Sequence, residues 1–277
     1  MRVLVTGAGG QLGRELCGLH GVSAEVIGLD RRGLDVTDLA QCREAIAAWR
    51  PDAVIHAAAY TAVDRAEEEP DEAFRVNAAG TRNMVLAARE GRAKFCYIST
   101  DYVFDGRASA PYNEYDTPNP LNVYGKSKLA GERLAQSLSE RWFIVRTSWV
   151  YGAYGANFVK TMLRLGAERE RVQVVADQTG SPTWSKDLAV FLLALVSTEA
   201  YGIYHATNAG HCSWYEFAKA IFEEKGLRTE VVPCTTEEFP RPARRPAYSV
   251  LDGAAARYHG LPAMRHWREA LKEFLQD

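Results

Sequence analysis

Arg2-Val3-Leu4-Val5-Thr6-Gly7-Ala8-Gly9-Gly10-Gln11-Leu12-Gly13 stands at the start of the chain. Its apolar run ends at Thr6-Gly7, as a buried parallel strand does. Gly7, Gly10 and Gly13 then follow a G-x-x-G-x-x-G spacing and lead into a helix predicted over residues 11–19. Glycine permits the sharp turn and lets backbone approach a phosphate closely. The helix N-terminus adds free N–H groups and the positive end of its dipole. Strand, loop and helix in this order read as a dinucleotide-binding turn, with Gly7, Gly10, Gln11, Leu12 and Gly13 as expected contacts.

Working outward, apolar runs at 24–29, 53–56, 95–99 and 142–146 read as further strands. Helical periodicity at 39–49, 68–88 and 122–138 falls between them, with Pro51 stopping one helix and Pro70 breaking another near its start. That alternation is the pattern of a doubly wound parallel sheet. Beyond residue 150 the rhythm loosens. Helices are predicted at 157–166, 187–195, 214–224 and 265–276, strands at 172–175 and 203–206, and residues 226–250 are rich in proline, threonine and arginine. The expected fold is α/β: a Rossmann domain over 1–150 with a later crossover near 185–206, and a smaller C-terminal α/β substrate-binding region over 151–277.

The bulk numbers narrow the function class. The 277 residues allow a large core, and a net charge of -2 without any block of like charge argues against a nucleic-acid surface. Five cysteines are scattered with no C-x-x-C pair, as small apolar fillers of a reducing compartment would be. No apolar run is long enough to span a bilayer, and the N-terminus reads as a core strand without a signal-peptide plan. The cytoplasm is the expected location, with neither membrane nor nucleic acid as partner.

Asp30 ends the second predicted strand, where an acid would hold the adenosine ribose hydroxyls. Arg31 and Arg32 follow at once, and an arginine there can take a 2′-phosphate instead. NADH and NADPH therefore both remain open. Asp35 and Val36 are expected to border the adenine. The small residues Ala57, Ala58 and Ala59, with Tyr60, would keep the crevice open where the cofactor lies. His56 reads as a hydrogen-bonded core histidine, and Asn77 as a tie between a helix and the cofactor loop.

Redox chemistry needs a proton as well as a hydride. Tyr124 and Lys128 are four apart, which puts phenol and ammonium on one helix face. Thr100 ends the fourth predicted strand and would face the same crevice. A nearby ammonium favours the phenolate and is expected to lower the tyrosine pKa, and Thr100 can donate to a substrate oxygen gaining charge.

These motifs carry a resemblance covering almost the whole chain. The matching stretches are 10–13, 58–64, Ser99-Thr100-Asp101-Tyr102-Val103-Phe104, 121–125, Arg146-Thr147-Ser148-Trp149-Val150-Tyr151, 157–158, 177–183 and Arg241-Pro242-Ala243-Arg244-Arg245-Pro246. They resemble the dTDP-4-dehydrorhamnose reductases, within the extended short-chain dehydrogenase/reductase superfamily. The resemblance implies hydride transfer from NADPH or NADH to C4 of a dTDP-4-keto-6-deoxy sugar. Tyr124 would protonate the oxygen, Lys128 would tune Tyr124 and Thr100 would assist. Asp101, Tyr102, Trp149, Asn157 and Arg244 would meet the substrate alongside Thr100. Some members bind Mg2+ at a homodimer interface through glutamates. Glu15 matches one such position, but Lys186 stands where those members can carry an acid, which puts the metal in doubt; no metal ligand is assigned. Two rivals share the scaffold. One is another nucleotide-sugar 4-ketoreductase or an epimerase; a dehydratase would add a second acid after Thr100, where Asp101-Tyr102 stands. The other is a non-catalytic NADP-binding regulatory subunit of methionine adenosyltransferase, against which the intact Thr100, Tyr124 and Lys128 speak.

Overall fold

A computed structural model describes residues 1–20 and 23–276. The first half runs β1 (Arg2–Thr6), α1 (Gln11–Gly18), β2 (Glu25–Leu29), α2 (Leu39–Trp49) and β3 (Ala53–His56). It continues through α3 (Val63–Glu68), α4 (Pro70–Phe74), a π-helical turn (Arg75–Gly80), α5 (Thr81–Glu90) and β4 (Lys94–Thr100). A 3-10 turn (Asp101–Val103), α6 (Val123–Leu138) and β5 (Trp142–Thr147) close it. The second half holds β6 (Val150–Tyr151), α7 (Phe158–Glu168), β7 (Arg171–Val175), β8 (Thr179–Gly180), β9 (Thr183–Trp184), α8 (Ser185–Val196) and β10 (Gly202–His205). It ends with β11 (Cys212–Ser213), α9 (Trp214–Lys225), β12 (Glu230–Cys234), α10 (Ala254–Tyr258) and α11 (Trp267–Gln276).

Six strands form one parallel sheet in the order β10-β5-β4-β3-β1-β2. The chain leaves β1 for β2 on one side and returns to β3 on the other, so a crevice opens above the carboxyl ends of β1 and β3. Alternate residues of each strand feed opposite faces. Val3, Val5, Ile55 and Val145 meet Leu16 of α1 and Leu188 and Leu192 of α8. Leu4, Val54, Phe95 and Ile144 meet Ile46, Met84 and Ala135 of the other helical layer. With both faces covered, β3 and β4 are buried along their whole length, which is why they read as near-continuous apolar runs. A second core joins Tyr151, Val159, Val172, Trp184, Phe217 and Trp267 in the later part of the chain.

Besides the 3-10 turn and the two-residue strands β6, β8, β9 and β11, three elements depart from the expected pattern. Helix begins at Val63 rather than residue 68, and the break falls at Glu69, whose φ of -124° and ψ of 56° answer to the proline after it. β12 was hidden by Pro233. It pairs in parallel with β7 in a two-stranded sheet, where each strand keeps one open edge and a missing N–H is tolerated. α10 is a short helix without a side-chain cap and gave no periodic signal.

Candidate active site

The carboxyl ends of β1, β3, β4 and β5 line a cleft of about 1340 Å³. The glycine turn forms one wall. Gly7 has a φ of +69°, and a Cβ there would sit 2.7 Å from backbone atoms of Ala58. No side chain caps α1 at Gly10, which leaves its first-turn N–H groups to an anion. This cradle suits a dinucleotide pyrophosphate. Ala57, Ala58, Ala59 and Tyr60 line the adjoining wall.

Asp30, Arg31, Arg32, Asp35 and Val36 line the far end. Asp30 Oδ1 accepts from the backbone N–H of Arg32 at 2.9 Å and of Gly33 at 3.1 Å. Asp35 accepts from the Thr37 N–H at 2.9 Å and its hydroxyl at 2.8 Å, which holds its carboxyl below the usual range. Arg75 donates to Thr37 Oγ1 at 2.7 Å and is paired with Glu72. Both signs of charge face this end, so it has groups for ribose hydroxyls and for a 2′-phosphate.

Thr100, Asp101, Tyr124 and Lys128 line the same cleft. Asn122 caps α6 by accepting the Gly125 N–H at 2.7 Å. Gly125 lets the first turn of that helix press on the 3-10 turn: a Cβ there would lie 2.2 Å from the Tyr102 carbonyl oxygen. This approach sets the Tyr124 phenol beside Thr100. The phenol is part-exposed along the cleft wall, yet burial pushes it up to about 12, while the Thr100 hydroxyl pulls it down. That differs from the expected lowering by Lys128. Lys128 is buried, and desolvation drops its ammonium to about 7 against the upward pull of Glu132. A half-neutral lysine supplies less field than the full ammonium that was assumed. Its Nζ sits 4.1 Å from the Tyr97 ring centroid.

Behind Lys128 lies a buried ionic network that local sequence patterns missed. Glu132 takes a bidentate pair from Arg146, at 2.9 and 2.8 Å, and the Ser99 hydroxyl at 2.5 Å. His205 Nε2 faces Arg146 at 3.4 Å, and its Nδ1 faces the Tyr112 carbonyl at 3.0 Å. A carbonyl can only accept, so Nδ1 carries the proton and Nε2 accepts. The one available signal was Glu132 continuing the four-residue spacing of Tyr124 and Lys128.

Other expected residues stand behind the cleft wall. Asn77 is buried and accepts the Tyr60 N–H at 2.8 Å while donating to Ser127 Oγ at 2.9 Å, so it shapes the wall without lining it. Asn157 caps α7 and donates to Gln11 Oε1 at 2.9 Å. Tyr102 meets Tyr124 edge-on at 6.0 Å between ring centroids. Arg244 is exposed, and its carbonyl accepts from Asn122 Nδ2 at 2.8 Å. Its neighbour Arg245 forms a bidentate pair with Asp64 at 2.6 and 2.9 Å. Trp149 does line the cleft, at a φ of +47°, and stacks on Trp214 at 3.5 Å. His56 is buried and hydrogen-bonded to Thr6 Oγ1 at 2.8 Å. Glu15 accepts the Ser185 hydroxyl at 2.9 Å. Among the described residues no group of three or more His, Cys, Asp or Glu is arranged to hold a metal ion. No helix among them is long and apolar enough to cross a membrane.

Known proteins resemble this chain in sequence and fold. The family model described as RmlD substrate binding domain matches residues 1–277. The spore coat polysaccharide biosynthesis protein SpsK of Bacillus subtilis is 47% identical over 277 residues, covering 100% of this chain and 97% of that protein. The dTDP-4-dehydrorhamnose reductase of Streptomyces griseus is 47% identical over 280 residues, covering 98% of this chain and 92% of that one. A crystal structure of dTDP-4-dehydrorhamnose reductase from Bacillus anthracis in complex with NADP matches with a TM-score of 0.97 and 47% identity, over 99% of this chain and 98% of that one. The chain thus belongs to the RmlD substrate binding domain family, alongside the dTDP-4-dehydrorhamnose reductases.

Proposed function

We propose that the chain reduces the 4-keto group of dTDP-4-dehydro-β-L-rhamnose to give dTDP-β-L-rhamnose, the last step of dTDP-L-rhamnose synthesis. NADPH or NADH is the reductant. The observation that carries this reading is Tyr124, Thr100 and Lys128 lining one cleft with the glycine turn at the sheet's switch point. Bound nicotinamide would supply a hydride to the keto carbon. The carbonyl pair then rests on oxygen, which needs a proton. Tyr124, held neutral by its surroundings, gives it. Thr100 donates to the same oxygen, and the charged form of Lys128 steadies the phenolate left behind. The glycine turn, Gln11, Leu12 and the Ala57–Tyr60 wall hold the cofactor, with Asp30, Arg31, Asp35 and Val36 around its adenosine. Asp101, Tyr102, Trp149 and Arg244 serve the substrate side. Asn77 and Asn157 act through Tyr60 and Gln11.

The same reading divides the chain into a dinucleotide-binding part over 1–150, joined by the crossover at 185–206, and a substrate region over 151–277. It places the protein in the cytoplasm as a homodimer; light scattering that returns the mass of one 30.7 kDa chain would overturn the dimer. The function is tested by following reduced-nicotinamide absorbance with enzymatically made dTDP-4-keto-6-deoxyglucose, with and without a 3,5-epimerase. Oxidation that needs the epimerase and is lost in Tyr124→Phe supports the proposal. Oxidation without the epimerase points to a different 4-keto sugar. No oxidation overturns the reductase reading.

A further inference from the structure

One acid in the cleft handles no proton in the steps above. Asp101 is 2% exposed and lines the cleft, and its Oδ2 has no hydrogen-bond partner. Its Oδ1 accepts the Thr100 hydroxyl at 3.1 Å. Ser249 stands beside the carboxyl and favours its ionised form, without closing a hydrogen bond on Oδ2. The titratable groups facing it are the phenols of Tyr102 and Tyr124, with Arg245 one step further out on Tyr102. A buried carboxylate with an unpartnered oxygen is costly, so the group is driven to hold a proton. Burial raises it to about 7.

The Thr100 hydroxyl touches both acids. It bonds Asp101 and stands beside the Tyr124 phenol, favouring the anion of each. It has one proton, so it can serve one anion at a time. We propose that Asp101 is the proton store that resets Tyr124 through the Thr100 hydroxyl after each turnover. This inference rests on the proposed reduction. When Tyr124 has given its proton to the product oxygen, the Thr100 O–H bond breaks and its proton passes to the phenolate. The Asp101 O–H bond breaks in turn and its proton passes to Thr100 Oγ1. Once the product has left, water takes its place at Thr100, the Thr100 O–H proton passes back to Asp101 Oδ1 along their hydrogen bond, and a solvent proton replaces it on Oγ1. One solvent proton is consumed per keto group reduced, as the overall reaction requires.

Asp101→Asn keeps the side chain's shape and removes its acid. The expected result is a burst in rapid-mixing experiments, with a first turnover roughly 10²-fold faster than the steady-state kcat that follows it, where the wild type shows none. The wild-type kcat should fall as pH rises through about 7, where the store empties. Ser249→Ala removes a group that favours the carboxylate, and should move that limb to higher pH. In the cofactor-free protein, 13C NMR of labelled aspartates should show one carboxyl, absent from Asp101→Asn, titrating well above the ordinary range. First-turnover and steady-state rates that fall together overturn the relay, as does an unchanged steady-state rate or an Asp101 carboxyl that titrates normally. A wild-type protein that turns over no 4-keto sugar fails the reductase reading and takes the relay with it.

Discussion

In the proposed reduction Tyr124 enters as a neutral phenol, pushed up to about 12 by its surroundings, with Lys128 only half charged at neutral pH. A reduction needs a donor in that state. Tyr124→Phe should therefore lower kcat by about 10²–10⁴-fold while NADPH still quenches the protein fluorescence at the wild-type concentration. A kcat within a few-fold of wild type would remove Tyr124 from the chemistry. Glu132 supports the site from behind. Glu132→Gln leaves the Arg146 guanidinium buried without its bidentate partner, and urea unfolding should show a loss of about 3–5 kcal/mol. A loss under about 1 kcal/mol would mean the pair is not sealed from water. The glycines, Tyr124, Lys128 and Thr100 were legible in the sequence because their geometry is local: one turn, one helix face, one strand end. Arg146 and His205 were not, because β5 brings Arg146 to Glu132 from the next element and β10 brings His205 to Arg146 from 59 residues further on.

At the scale of elements, the site depends on how tightly α6 meets the 3-10 turn. Gly125→Ala would put a Cβ 2.2 Å from a backbone oxygen, which no side-chain rotation relieves. The first turn of α6 must shift and carry Tyr124 away from Thr100. The expected outcome is a loss of kcat of about 10²-fold with NADPH binding retained, since the glycine turn lies elsewhere on the sheet. Equal loss of both would show that the contact holds up the whole cleft. The six strands of the main sheet were all legible: burial on both faces writes β1, β3, β4 and β5 as apolar runs, and the part-exposed edges β2 and β10 still carry short ones. β12 was not: it lies outside that sheet, is part-exposed, and carries a proline that open edges tolerate.

The whole molecule responds to acid through its buried imidazoles. His56 and His205 are both held down at about 3, from an ordinary value of 6.5. Between those values the unfolded chain binds protons that the native state refuses, so stability falls as pH drops through the window. Asp101, raised to about 7, works the other way, because the native carboxyl keeps a proton that the unfolded chain has released. Glu114, which burial also raises, joins Asp101 as the pH falls, and the two histidines outweigh them in the upper part of the window; Asp35 and Asp64, held low by their partners, add to the loss below the ordinary carboxylate range. Each uncompensated proton is worth about 1.4 kcal/mol per pH unit. Melting temperature should therefore fall between about pH 6.5 and about pH 4.5, less steeply in His205→Asn; a flat profile would contradict the buried neutral imidazoles. The pairing of β10 with β5 also sets an order of events during synthesis. On the ribosome, β5 emerges with one edge open, and residues through His205 must follow before that edge is closed. The main sheet is thus unfinished and adhesive until His205 has been translated, and the nascent chain has to be kept from its neighbours for that interval.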